Sequence, residues 1–132
     1  MGVIYRPPDN RYPIDHFNSE FDYVLNKLSV ENKVCYLLGD YNIDLLKEKT
    51  HKPISDFLST IYSYSFFPTI NKPTRITRTS ATIIDNIITN NSIANHQSGI
   101  FVADISDHLP IFVQTDIKID DNDNKAQNKT KN

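Results

Sequence analysis

At 132 residues, the chain can close one domain around a real core but not two. Its 39% hydrophobic content fits a packed interior, and 14 basic against 16 acidic residues exclude a protein that grips nucleic acid by net charge alone. A single cysteine, Cys35, excludes an internal disulfide staple and reads as a small buried hydrophobe.

No apolar run reaches bilayer-spanning length, and the opening "MGVIYRPPDN" lacks the charged-then-apolar layout of a signal peptide. Arg6 stands where a myristoylation motif needs Ser or Thr. The expectation is an intracellular protein with no membrane partner.

In chain order, residues 2 to 6 predict a short strand stopped by Pro7-Pro8. Phe17, Phe21, Val24, Leu25 and Leu28 then mark one face of an amphipathic helix, with Asp15 placed to cap it. Residues 33 to 38 read as an apolar strand covered on both faces. Strand, helix, strand is a crossover unit, so a largely buried α/β sheet is predicted. Ile54, Phe57, Leu58 and Ile61 suggest a second helix beginning near Pro53. Residues 66 to 82 look irregular, with two prolines and a burst of Thr. "TIIDNIITN", "GIFVADIS" and "LPIFVQTDIKI" supply three further strand candidates. One domain is expected over 1–118, followed by a polar disordered tail or linker over 119–132.

Three apolar segments are each broken by a carboxylate: "LLGDYN" at Asp40, "TIIDNII" at Asp85, and "DISDHLPIF" at Asp107, followed by His108. A buried carboxylate is costly unless it is paired, hydrogen-bonded or metal-bound. Each has an ordinary alternative. Gly39-Asp40 also suits a turn, Asp85 a solvated edge-strand face, and Ser106-Asp107-His108 a loop or helix cap. Together they gain weight, because strand ends are where an α/β scaffold displays its chemistry. Carboxylates hold a hard cation such as Mg²⁺, and a histidine oriented by an acid can move a proton near neutral pH. An Asn amide can donate to an anionic oxygen without adding charge. The set suits in-line attack of water on a phosphate ester.

On the residues "GVIYRPP", "LLGDYNIDLL", "PTRITRTSATIIDNIITN" and "SDHLPIFV", the sequence resembles the endonuclease/exonuclease/phosphatase superfamily. Within it, the chain looks most like the apurinic-like endonuclease domain of non-LTR retrotransposons. The segments occur in the family's order over nearly all of residues 2 to 114.

The resemblance implies a four-layered α/β sandwich, two mixed sheets flanked by helices. It also implies Mg²⁺ dependence, with Mn²⁺ as a substitute, and hydrolysis of a DNA phosphodiester to a 3′-hydroxyl and a 5′-phosphate. By resemblance, Asp40 would position or deprotonate the attacking water and also serve the metal, while Asn42 would hydrogen-bond the scissile phosphate. His108 would accept the proton or stabilise the transition state, oriented by Asp85, and Asp107 would face the metal. Tyr5 matches a phosphate-contacting tyrosine, with a half-buried strand aromatic as its alternative. Arg6 joins it as a candidate DNA contact. Lys72, Arg75 and Arg78, three charges with no acid among them, would touch the DNA backbone or simply solubilise a loop.

Complete domains of that family are longer and carry an early Asn and a metal-binding Glu on the opposing sheet. The expectation is a C-terminal part of the sandwich with an incomplete metal site, an exposed sheet face, and weak or absent activity as this chain. Glu20 and Glu31, on or just after the first helix, read as a solvated face. Two other readings stand beside the nuclease. One is a phosphomonoesterase or phospholipid/inositol phosphate phosphodiesterase of the same fold, and the other a non-catalytic retroelement remnant. A retroelement nuclease would act in the nucleus and could be joined to a reverse-transcriptase domain.

Overall fold

The computed structural model describes residues 1–8 and 10–116, and the tail expected at 119–132 lies outside them. The chain opens with strand β1 (Gly2–Tyr5), which ends before Pro7, and turns into helix α1 (Ile14–Val30). Phe17, Phe21 and Leu25 are buried along one face of α1, while Val24 is exposed at the edge of that stripe. Pro13, not Asp15, occupies the cap position, and Asp15 lies in the first turn, where a negative charge meets the positive end of the helix.

Strand β2 (Tyr36–Asp40) pairs in parallel with β1, as a crossover requires. The apolar run expected over 33–38 therefore becomes strand later and ends later. Its antiparallel pairing with residues 85 to 89 begins at Tyr36↔Thr89, and Val34 is left exposed. Cys35 is half-buried rather than buried. Helix α2 (Lys52–Ser63) follows with proline in its first turn and buries Ile54, Phe57, Leu58 and Ile61.

The segment read as irregular contains three two-residue strands: β3 (Phe67–Pro68), β4 (Arg75–Ile76) and β5 (Ala81–Thr82). β4 and β5 form a small hairpin whose turn is closed by Thr77 and Ser80. Strand β6 (Asp85–Thr89) begins at its carboxylate instead of being interrupted by it. The main sheet runs β1-β2-β6-β3, with β6 antiparallel to both β2 and β3.

Last come β7 (His96–Ile100) and β8 (Ile111–Thr115), an antiparallel hairpin. "GIFVADIS" thus contributes only Gly99 and Ile100 to a strand, because Phe101 makes the last bond, to the Pro110 carbonyl, and the chain then leaves as a loop. Polar His96, Gln97 and Ser98 form the rest of β7, a stretch with no apolar alternation to read.

Two cores sandwich the main sheet. On one face α1 and α2 bury Phe17, Phe21, Tyr41, Phe57 and Ile88 in a cluster of aromatic contacts. On the other, Tyr36, Ile70 and Ile87 meet Leu38, Ile100, Ile111 and Val113, so the β7–β8 hairpin lies over β6. The layers are helices, main sheet and second sheet, a mixed α/β arrangement. The hairpin leaves β1 uncovered: Val3 and Tyr5 are 84% and 67% exposed.

Candidate functional site

"GDYN" is a sequence of four alternating tasks. Gly39 lies against β1 so closely that a Cβ there would fall 1.7 Å from the Ile4 carbonyl oxygen. Tyr41 turns into the helical core, only 2% exposed, and its hydroxyl donates to the Leu37 carbonyl. That burial pushes its phenol pKa up and anchors the strand end. Asp40 points the other way, toward the second sheet. Asn42 takes a left-handed turn at φ 48°, a conformation asparagine tolerates better than most residues. Its backbone N–H donates to Asp40 Oδ1 at 3.0 Å, and its side-chain amide donates to the Arg6 carbonyl at 2.7 Å.

Arg6 closes this corner from the other side. It is 6% exposed, donating from Nη1 to the Asn42 carbonyl and from Nη2 to the Tyr12 carbonyl. The guanidinium expected to meet DNA is instead a buried tie between the ends of β1 and β2. Burial lowers its pKa.

Asp40 stands directly opposite Asp85 in the β2–β6 register, and Tyr5 directly opposite Asp40 in β1–β2. Partners across a ladder share a face, so three residues from three strands form one row. Tyr5 is the exposed end of that row. His108 arrives from the loop before β8 and sets Nδ1 3.0 Å from Asp85 Oδ2. A carboxylate facing Nδ1 accepts a hydrogen bond from Nδ1–H, which leaves the lone pair on Nε2. Asp85 is 15% exposed and the imidazole 39%, so the pair sits at the edge of the interior rather than sealed within it.

Thr74, which the sequence did not mark, fixes both halves of this pair. It is fully buried, and its hydroxyl accepts from the Ile84 and Asp85 amides at 3.2 and 3.1 Å. Its carbonyl accepts from the Leu109 amide at 2.7 Å, next to His108. The signal available was only its place between Pro73 and Arg75.

Asp107 is not in the row. Its carboxylate pairs with Arg75 at 2.7 Å, and that bond holds its pKa below the usual carboxylate range. Lys72 and Arg78 are both exposed, Lys72 beside a cavity of about 590 Å³ and Arg78 in the β4–β5 turn. Glu20 receives the Tyr12 hydroxyl and pairs with His16 on α1, so it is engaged away from the row.

Ligand atoms of Asp40, Asp85 and His108 lie within 4.8 Å of one another. Two carboxylates directly opposed on neighbouring strands repel, and burial together with Asp85 raises the Asp40 pKa. A hard divalent cation would relieve that repulsion, so the donor set fits one. Asp40 and Asp85 can fill only part of an octahedral shell, leaving the other positions to water or substrate oxygens. Beside them opens a cavity of about 290 Å³, floored by Leu38 and Gly39 and walled by Val3, Leu109 and Pro110.

No protein-family model matches the chain, and no curated protein sequence does. Solved structures do. The endonuclease domain of TRAS1, a telomere-specific non-LTR retrotransposon, superposes with a TM-score of 0.66 at 16% identity, over 89% of this chain and 58% of that one. The 3′ phosphatase NExo from Neisseria, bound to a product DNA hairpin, gives 0.63 at 15% identity, over 87% and 60%. An endonuclease/exonuclease/phosphatase family protein from Leptotrichia buccalis gives 0.54 at 17%, over 76% and 42%. The chain spans between 42% and 60% of the length of these structures. No helix among the described residues is long and apolar enough to cross a membrane. The architecture is that of the endonuclease/exonuclease/phosphatase fold, in a form shorter than these solved domains.

Proposed function

We propose that the chain carries the base-bearing part of a DNA phosphodiesterase that nicks one strand, as a retroelement endonuclease does. The observation that carries this is the Asp85–His108 pair facing Asp40 on one row of strand ends. Similarity to the TRAS1 endonuclease domain and to a DNA-bound phosphatase supports DNA as the substrate.

Hydrolysis then runs as follows. A water oxygen forms a bond to phosphorus while its proton passes to His108 Nε2, and Asp85 stabilises the imidazolium that results. The P–O3′ bond breaks opposite the attacking oxygen, and the leaving 3′ oxygen takes a proton from water to give a 3′-hydroxyl and a 5′-phosphate. Asp40 accepts a hydrogen bond from the attacking water and fixes its direction. Mg²⁺ or Mn²⁺ bound by Asp40 and Asp85 would supply charge neutralisation at the phosphate.

Two carboxylates are few ligands for such an ion, so the chain alone nicks slowly or not at all. The test is relaxation of supercoiled plasmid in Mg²⁺, by this chain and by this chain joined to an N-terminal half supplying the metal-binding Glu. Joined, it nicks, and His108→Ala slows the reaction by about 10³-fold. Inactivity of the joined form, or nicking that survives His108→Ala, overturns the reading. Robust nicking by the chain alone overturns the incomplete-site part of it.

The likeness to the Neisseria 3′ phosphatase favours a second reading, removal of a phosphomonoester from a DNA 3′ end. Turnover on a 3′-phosphorylated hairpin against supercoiled plasmid separates the two.

A further inference from the structure

We propose that Arg75 binds the phosphate being cleaved and is itself a catalytic residue, with Asp107 serving to hold Arg75 and not a metal. This rests on the phosphodiester reading above.

Residues 74 to 76 run antiparallel to 107 to 109. The Leu109 amide donates to the Thr74 carbonyl at 2.7 Å, and the Ile76 amide donates to the Asp107 carbonyl at 2.9 Å. Arg75 is the residue directly opposite His108 across that bridge. Opposed residues send their side chains to the same face, with Cβ atoms roughly 5 Å apart. The guanidinium therefore rises beside the imidazole, at the same end of the sheet as Asp40 and Asp85.

Its Nε is bonded to Asp107 Oδ2 at 2.7 Å, and both side chains are 43% exposed. An ion pair this exposed adds little to folding. Its effect is orientation. Anchored at Nε, the guanidinium keeps both terminal nitrogens without a protein partner among the described residues, and they form a planar fork matched to two phosphate oxygens. Lys72 and Arg78 have no such anchor among the described residues.

The charges around the row call for this cation. Asp40 and Asp85 are opposed acids, and a phosphodiester adds a further negative charge. As water attacks, charge grows on the non-bridging oxygens, and a fork fixed in advance gains strength there without reorganising.

The experiment titrates the full chain with thymidylyl-thymidine, a dinucleotide with a single phosphodiester, followed by NMR. Binding is expected to shift the Arg75 Nε–H and His108 ring resonances. Arg75→Met weakens it about tenfold, and Arg75→Lys, which keeps the charge but not the fork, recovers only part. Asp107→Asn weakens it about threefold, and adds nothing in the Arg75→Met background, as expected for a residue acting through Arg75. Lys52→Met, a charge lost from α2, leaves binding unchanged, and circular dichroism verifies that each variant is folded. Wild-type affinity in Arg75→Met, with His108→Ala weakened, would sink the Arg75 assignment and leave the phosphodiester reading standing. A further loss from Asp107→Asn in the Arg75→Met background would show that Asp107 acts on its own. No shift at His108 with the dinucleotide would remove both the assignment and the reading beneath it.

Discussion

Asp40 shows at the scale of one residue what the site costs the fold. Burial and the facing Asp85 carboxylate raise its pKa, so the folded chain holds that proton more tightly than the unfolded chain. The resulting penalty is absent at low pH and appears as pH rises through the carboxylate range. Asp40→Asn removes the charge and keeps an oxygen to accept the Asn42 amide. It is expected to raise Tm by about 2 °C at neutral pH, with a gain that shrinks as pH falls through the raised Asp40 pKa, while nicking by the joined domain drops. Thermal melts at neutral and acid pH check it. Asp107 has the opposite sign. Its pKa is lowered by Arg75, so its contribution is present at neutral pH and is lost as pH falls through that lowered value.

Elements decide whether such residues meet. Gly39 allows β1 to lie against β2, and Gly39→Ala would force the strands apart at the Ile4 carbonyl, costing about 3 kcal/mol in a denaturant melt. Thr74→Val keeps the volume but orphans one buried and one half-buried amide. It should cost about 2 kcal/mol and slow nicking by the joined domain, with Thr74→Ser restoring both. "LLGDYN" was legible because an apolar strand, a lone glycine and an acid coincide in six residues. The β4–β5 hairpin was not, since two-residue strands carry no periodicity and owe their pairing to tertiary bonds from Thr74 and Asp107. Arg6 misled for a related reason. A guanidinium beside a strand end reads as a surface charge until the carbonyls of Asn42 and Tyr12 are seen to enclose it.

For the whole molecule, the sequence carried the order of the longer elements, both helices and the fold class, because apolar spacing and crossover handedness constrain them. It could not say which face each strand end would show, which depends on register. The uncovered face along β1 has a physical consequence. Val3 lies on an edge strand, exposed beside the site, and such an edge invites pairing between chains. Val3→Lys should reduce concentration-dependent association in sedimentation velocity. Lys72 and Arg78 are exposed, and on the proposed DNA reading removing either charge should lower the salt slope of DNA binding by about one.

The fastening of His108 carries a last consequence, for heat rather than for chemistry. Asp85 starts a strand paired on both sides, whereas the segment bearing His108 is joined to the 74–76 strand by two hydrogen bonds, from the Ile76 and Leu109 amides. Regions fastened this lightly open in partial unfolding events well below the global free energy. The Leu109 amide should therefore exchange with solvent deuterium before those of Ile87 and Ile88. On warming, the Asp85–His108 pair would come apart while the sheet that presents it is still folded.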